Sequence, residues 1–383
     1  MVAAPQTDRV GDPYGRLGLR PVVNAAATFT RLGGSLMPAP VVEAMEQASR
    51  HFVSIVDLHQ RVGERLAELT NNEAGYVSCG AAAGITIAVT ACMIGTDQEL
   101  HNALPYLDGV TRTEVIIERR HRNGYDYAAR ATGARIVEVD GTTDDLRRAL
   151  SGRTACVLEF VGNHFGTGPD HVAKVVEIAH AAGVPVLVDA AAQIPPIASL
   201  WTYTRDAGAD IVICSGGKGL RGPQASGLVL GKRSIIEGCE VNAAPNQSIG
   251  RSMKVGKEEL IGLLTAVELY LSQDEAATLA GYEAMVQTWI TGLDGINGIT
   301  VSRGYPSEAG QPHGRAMVKF SSTSPRTRDQ VVAALWEGDP HVSVGTVGDD
   351  VIALNPQTLI PGEEELVLER LRSALRIPTE KGV

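Results

Sequence analysis

From Ala74 onward, short apolar runs alternate with helical patterns: AGYVSC leads into the small-residue stretch GAAAGITIAVTACMI, and EVIIE is followed by NGYDYAARATG. ARIVEV and TACVLEF come next, then the amphipathic segment HVAKVVEIAHAAG, then VPVLVDA, ADIVICS and SGLVLG. Strands that alternate with helices predict βαβ units, and so an α/β domain built on a mostly parallel, seven-stranded-type sheet with helices on both faces. KEELIGLLTAVELYLS, with apolar residues returning every three or four positions, predicts a long helix joining this domain to a second one. Beyond it, ITVSR, RAMVKF, HVSVG and DVIALN read as strands and two further stretches as helices, which makes a smaller α+β C-terminal domain. The expected organisation is an N-terminal arm over 1–40, a large domain over 41–256, a connecting helix over 257–276 and a small domain over 277–383. The arm contains RPVVNAAATFTRLGGSLMP, whose periodicity is weak, and it is expected to wrap across other parts of the molecule.

Composition narrows the partners. With 383 residues, 44% of them hydrophobic, the chain can bury two cores. A net charge of −10 disfavours an extended nucleic-acid surface, which needs clustered lysine and arginine. The opening MVAAPQTDRVGDP has no apolar signal core and no run is long enough to span a bilayer, so the expected location is cytoplasmic. The five cysteines (Cys79, Cys92, Cys156, Cys214, Cys239) form no C-x-x-C pair, and the nine histidines show no ligand spacing. Neither a disulfide nor a metal site is expected, and small molecules are the expected partners.

Ligands of an open parallel sheet bind beyond the carboxyl ends of its strands. Three strand ends carry chemistry. VPVLVDAAAQ ends on Asp189, and ADIVICSGGK reaches Lys218 about thirty residues later, the length of one βαβ crossover. The lysine does not belong to a nucleotide-binding P-loop, because the first glycine of that motif would fall on Val212 and Gly219 stands where serine or threonine is needed. The third end, YVSCGAAAG, opens a helix whose small N-terminal residues can present unpaired N–H groups to a phosphate. An amine, a carboxylate and a phosphate cradle are together what pyridoxal 5'-phosphate requires.

The order SCGAAAG, VDAAAQ, SGGKGLRGPQASG resembles the fold type I pyridoxal-phosphate enzymes, in particular the group around bacterial selenocysteine synthase and D-glucosaminate-6-phosphate ammonia-lyase. RPVVNAAATFTRLGGS, RRHRNGYD and RSMKVGKEEL extend the resemblance over most of the chain. It implies that Lys218 forms the Schiff base and that Asp189 partners the pyridine nitrogen. It further implies that Ser215 and the amides of Gly80, Ala81 and Ala82 hold the phosphate, that Ala191 and His121 pack on the two ring faces, and that Gln193 reaches the phenolic oxygen. Arg31, His164, Arg251 and Lys254 are the implied substrate-binding residues. Arg251, Lys254 and Lys257 would share one face if helical. The glycines around Lys218 are expected to clear room for a flat ring, and Arg221 is left without a role.

The activity implied is a lyase: α,β-elimination of the ammonia-lyase type on a small hydroxylated amino acid, phosphorylated or otherwise anionic. Racemase and aminotransferase activities stay open, because DVIALNPQTLIPGEEE lacks the small-domain arginine that many fold type I enzymes use for a carboxylate. Selenium transfer to seryl-tRNA is disfavoured by the acidic charge and by the start of the resemblance at Arg20. A catalytically weak pyridoxal-phosphate carrier or regulatory protein is the reading from another class. The group commonly builds its site between subunits, which implies at least a homodimer.

Overall fold

The computed structural model describes residues 13–162 and 165–376. Its strands are β1 (Val22–Ala25), β2 (Ala74–Ser78), β3 (Glu114–Glu118), β4 (Arg135–Val139), β5 (Thr154–Phe160), β6 (Val186–Asp189), β7 (Ile211–Ser215), β8 (Gly227–Gly231), β9 (Ile299–Gly304), β10 (Arg315–Phe320), β11 (His341–Val347) and β12 (Val351–Leu354). Chain contacts divide them between two units, one of Gly33–Glu275 with Glu308–Pro312, the other of the remaining segments.

The larger unit holds a seven-stranded sheet in the order β2-β8-β7-β6-β5-β3-β4. Only β8 runs against its neighbours, so β2 and β7, which flank it, end at the same edge as the other parallel strands. β5, β6 and β8 are buried along their whole length because both faces are covered, which is why they are mostly apolar, with Glu159 in β5 and Asp189 at the end of β6 as charged exceptions. Alternation sorts their side chains: Val157, Val186, Val188 and Val212 pack in one core with Val172 and Val175 of the helix Pro169–Ala181. Leu158, Leu187, Ile211 and Ile213 pack in the other with Ile85 and Val89 of the helix Ala81–Ile94. That helix is apolar all round, as a helix enclosed by protein must be.

A buried Asp210 at the start of β7 is fully committed, accepting from the Val186 N–H (2.7 Å), His180 Nε2 (2.8 Å) and Lys232 Nζ (2.6 Å). The helix Lys257–Leu271, expected as a connector, instead buries Leu260, Leu263 and Val267 in the core of this unit.

The smaller unit is a five-stranded sheet, β1-β11-β12-β10-β9, in which β1 is parallel to β11 and the other pairings are antiparallel. The N-terminal segment, expected as an arm, contributes an edge strand to this sheet. Four residues of VVNA, with every second one buried, are too short a run to signal a strand by pattern alone. Trp289 centres the core, fully buried, its indole N–H donating to the Glu364 carbonyl at 2.9 Å.

Candidate active site

Backbone register assembles the strand ends. Gly227 of β8 pairs with Ser78 on one side and Ser215 on the other, so the last residues of β2 and β7 lie in one row. Along β6, Asp189 pairs with Ile213, the Ala190 N–H donates to Ile213 O (2.9 Å), and the Ser215 N–H donates to Ala191 O (3.3 Å). The ends carrying Asp189, Ser215 and Lys218 thus continue side by side past the sheet.

The helix Ala81–Ile94 starts beside this row. Its first internal bond runs from the Gly84 N–H to Gly80 O (3.1 Å), which leaves the amides of Ala81, Ala82 and Ala83 ahead of the ladder. Gly80, at φ 88°, has open space where a Cβ would stand. Its own N–H donates to Ser78 O (2.9 Å), so of the three amides implied for a phosphate, Gly80 is engaged and Ala81 and Ala82 remain. Gly227 has no room for a side chain: a Cβ would come within 2.6 Å of Gly80 C and 2.8 Å of the Ala81 nitrogen.

The glycines around Lys218 do not clear room for a ring. A Cβ on Gly216 would meet Ser226 Oγ at 2.1 Å, on Gly217 the Gln224 Cα at 2.4 Å and on Gly219 the Ile194 carbonyl at 2.0 Å. Backbone at Gly217 and Gly219 and side chains at Gly216 fill that space, and close packing rather than ligand access requires the glycines.

Asp189 is buried at the end of β6, and burial pushes its carboxyl above the ordinary range, against the Ala191 N–H (2.9 Å to Oδ1) and the charge of Lys218. Lys218 is half-buried, and burial pushes its ammonium down, against the pull of Asp189, Glu308 and Cys214. Each group is thereby brought toward its neutral form, which for the lysine is the nucleophilic one.

The other implied residues divide. Ala191 stays at the strand end, half-buried, next to Asp189. Gln193 is a correction: its Nε2 donates to Ala309 O (2.8 Å) and Val161 O (3.3 Å), so the donors meant for a ring oxygen hold backbone instead. His121 lies at the end of β3 in the turn Arg119–His121, fully buried, its Nε2 2.7 Å from Thr167 Oγ1 and its ring edge-on to Phe165. Burial holds it near pKa 4, a neutral imidazole at physiological pH.

Arg251 and Lys254 are exposed in the larger unit, but they do not share a helical face with Lys257. The turn Arg251–Met253 ends in extended backbone at Lys254, and a new helix starts at Lys257. Arg31 belongs to the smaller unit, its guanidinium 5.4 Å from the centroid of Phe29. His164 lies outside the described residues. Arg221 adopts φ 56°, a costly backbone for a residue with a side chain, and its Nε donates to Leu36 O (2.9 Å).

Sequence reasoning missed the short segment Glu308–Pro312. It places Glu308 near Lys218, and Gln311 Nε2 donates to Ala192 O (2.9 Å) just past β6. No motif marks these residues, which reach the site only through tertiary folding. A cavity of about 590 Å³ beside β2, walled by His59, Tyr76, Glu64, Glu237 and Glu240, has neither Asp189 nor Lys218 in its lining.

A lysine and a buried carboxylate at neighbouring strand ends, with leftover amides at a helix N-terminus opposite Ser215, fit a phosphorylated pyridine aldehyde. Fold and site define a fold type I pyridoxal-phosphate enzyme. The aminotransferase class-V family matches residues 124–253. D-glucosaminate-6-phosphate ammonia lyase of Salmonella typhimurium is 31% identical, over 94% of this chain and 96% of the relative. The 5'-C-glycyluridine monooxygenase-decarboxylase of a Streptomyces species is 32% identical, over 94% of this chain and 92% of the relative. A solved D-glucosaminate-6-phosphate ammonia-lyase superposes with a TM-score of 0.82, covering 95% of this chain and 98% of its own. At 14% identity, a serine palmitoyltransferase from S. paucimobilis with a bound PLP–myriocin aldimine shares the fold, with a TM-score of 0.58 over 92% of this chain and 87% of its own. The chain belongs to the family of D-glucosaminate-6-phosphate ammonia lyase, and its cofactor is pyridoxal 5'-phosphate.

Proposed function

We propose that the protein is an ammonia lyase that eliminates water from a small hydroxylated amino acid carrying a phosphate or another anionic group. The observation that carries this is the pairing of Asp189 and Lys218 at adjacent strand ends, within a chain whose 31% identical relative is an ammonia lyase. Bound there, the cofactor supplies an electron sink for the pair released at the substrate α-carbon.

The residues divide the remaining work. Lys218 would hold the cofactor covalently, and its amine, made less basic by burial, would serve as the base for the substrate α-proton. With the cofactor bound, Asp189 would partner the pyridine nitrogen, and the positive charge there would hold the carboxylate ionised despite its burial. The Ala81 and Ala82 amides and Ser215 would bind the phosphate and Ala191 would pack on one face of the ring, whereas His121, fully buried against Phe165 and Thr167, offers the ring no free face. Loss of the β-hydroxyl as water, followed by hydrolysis, yields a keto acid and ammonia. Arg251 and Lys254 are the cations for the anionic end of the substrate; the relative's own substrate, named as a 6-phosphate, supports that choice.

A second reading rests on the equally similar relative named a monooxygenase-decarboxylase: use of oxygen with loss of carbon dioxide. Racemase and aminotransferase activities complete the alternatives. Assay of D- and L-hydroxyamino acids, with and without a phosphate, for keto acid, ammonia, oxygen uptake and carbon dioxide separates them. Ammonia and keto acid in equal amounts without oxygen uptake are the expected result. Cofactor bound without turnover of any amino acid would instead make the protein a carrier or regulator.

We place the enzyme in the cytoplasm as a homodimer or higher homo-oligomer. All five cysteines are free, and no helix among the described residues is long and apolar enough to cross a membrane. A fully active monomer by light scattering would remove the dimer from the account.

A further inference from the structure

On the sheet face opposite Asp189, two carboxylates are buried side by side. Glu118 ends β3 and Glu159 lies in β5, with side chains only 4% and 1% exposed. His171, in the first turn of the helix Pro169–Ala181, brings its Nε2 to 2.6 Å from Glu118 Oε1 and 3.3 Å from Glu159 Oε2. Ligand atoms of these three residues lie within 4.8 Å of one another.

Two further observations point to a missing cation. Glu159 Oε1 is buried without a hydrogen-bond partner among the described residues, a costly state for a carboxylate, and Oε2 has only the His171 contact at 3.3 Å and the His121 contact. His121 Nδ1, also buried and without such a partner, stands 3.6 Å from Glu159 Oε2. With its proton on Nε2, toward Thr167, the neutral imidazole presents at Nδ1 a lone pair that a cation can take. A cavity of about 70 Å³, walled by Glu118, Glu159, His171, Thr142, Thr143 and Lys174, borders the group.

We propose that Glu118, Glu159 and His171, with His121 Nδ1 as a fourth donor, bind one divalent transition-metal ion of the zinc class. Two oxygens and two nitrogens are the mixed donor set such ions take. Arg120, whose Nε is 2.6 Å from Glu118 Oε2, supports that carboxylate from outside. The ion replaces the proton shared between His171 and Glu118, and ties β3, β5 and the Pro169 helix together behind His121. Nothing in this inference requires the lyase reading.

The test uses the cofactor-loaded protein. It is dialysed against chelator, then titrated with Zn²⁺ or with Co²⁺, and followed by elemental analysis and by the visible absorption of Co²⁺. One ion per chain is expected, with a Co²⁺ spectrum of mixed nitrogen and oxygen ligation. Glu159→Gln and His171→Gln should each weaken binding at least tenfold while the far-ultraviolet circular dichroism stays native. No stoichiometric uptake by folded wild-type protein, or uptake unchanged in both folded variants, would overturn the proposal.

Discussion

Ser78 and Ser215, the last residues of β2 and β7, stand on either side of Gly227, because β8 pairs that glycine with both. The backbone of Gly80 and Ala81 lies where a Gly227 side chain would be. Gly227→Ala should therefore displace the helix N-terminus that binds phosphate and weaken cofactor binding tenfold or more. Absorbance titration of cofactor-free protein with pyridoxal 5'-phosphate reads this directly, and unchanged affinity would place the phosphate elsewhere.

Asp189→Asn keeps the shape of the side chain and the Ala191 contact but removes the charge that holds a ring nitrogen protonated. Turnover should fall by roughly a hundredfold or more, within the range of general acid–base contributions, with the cofactor still bound. Steady-state kinetics beside a cofactor-content measurement checks it. Near-wild-type turnover would remove Asp189 from the site.

Arg251→Ala and Lys254→Ala should raise KM for a phosphorylated substrate by roughly tenfold each and leave kcat within a few fold, since uniform binding energy is lost. The same variants should barely change KM for an uncharged hydroxyamino acid. A fall in kcat with KM unchanged would mean that these exposed cations act on the reaction and not on the anion.

His59 is buried and stacks on Tyr76 with ring centroids 5.1 Å apart, and burial lowers its pKa from 6.5 to about 4. The unfolded chain therefore binds its proton first, so His59 contributes stability that is complete above pH 6.5 and is lost as pH falls toward 4. That difference is on the order of 3 kcal/mol. His59→Gln should flatten the acid side of the stability curve in this window, as measured by urea unfolding between pH 7 and 4.5. An unchanged slope would show that the imidazole titrates normally.

Much of this was legible in the sequence because the doubly covered sheet imposes its pattern. Strands β5 and β6 are apolar over most of their length, so Asp189 at the end of β6 and Lys218 just past β7 stood out as polar residues in an apolar context. What sequence could not give was anything set by approach of distant segments. Glu308 and Gln311 join the larger unit from within the C-terminal part of the chain, Gln193 spends its amide on Ala309 of that segment, and the glycines beside Lys218 answer to Ser226, Gln224 and Ile194. Likewise Glu118, Glu159 and His171 come from two strands and a helix with no fixed spacing between them, so no motif announces them.

The central claim is that Lys218 carries the cofactor. Borohydride reduction of the cofactor-loaded protein, followed by proteolysis and mass spectrometry of the peptides, tests it most directly. The phosphopyridoxyl mass should appear on the peptide containing Lys218 and vanish in Lys218→Ala; a label on another lysine, or one that persists in that variant, would contradict the account.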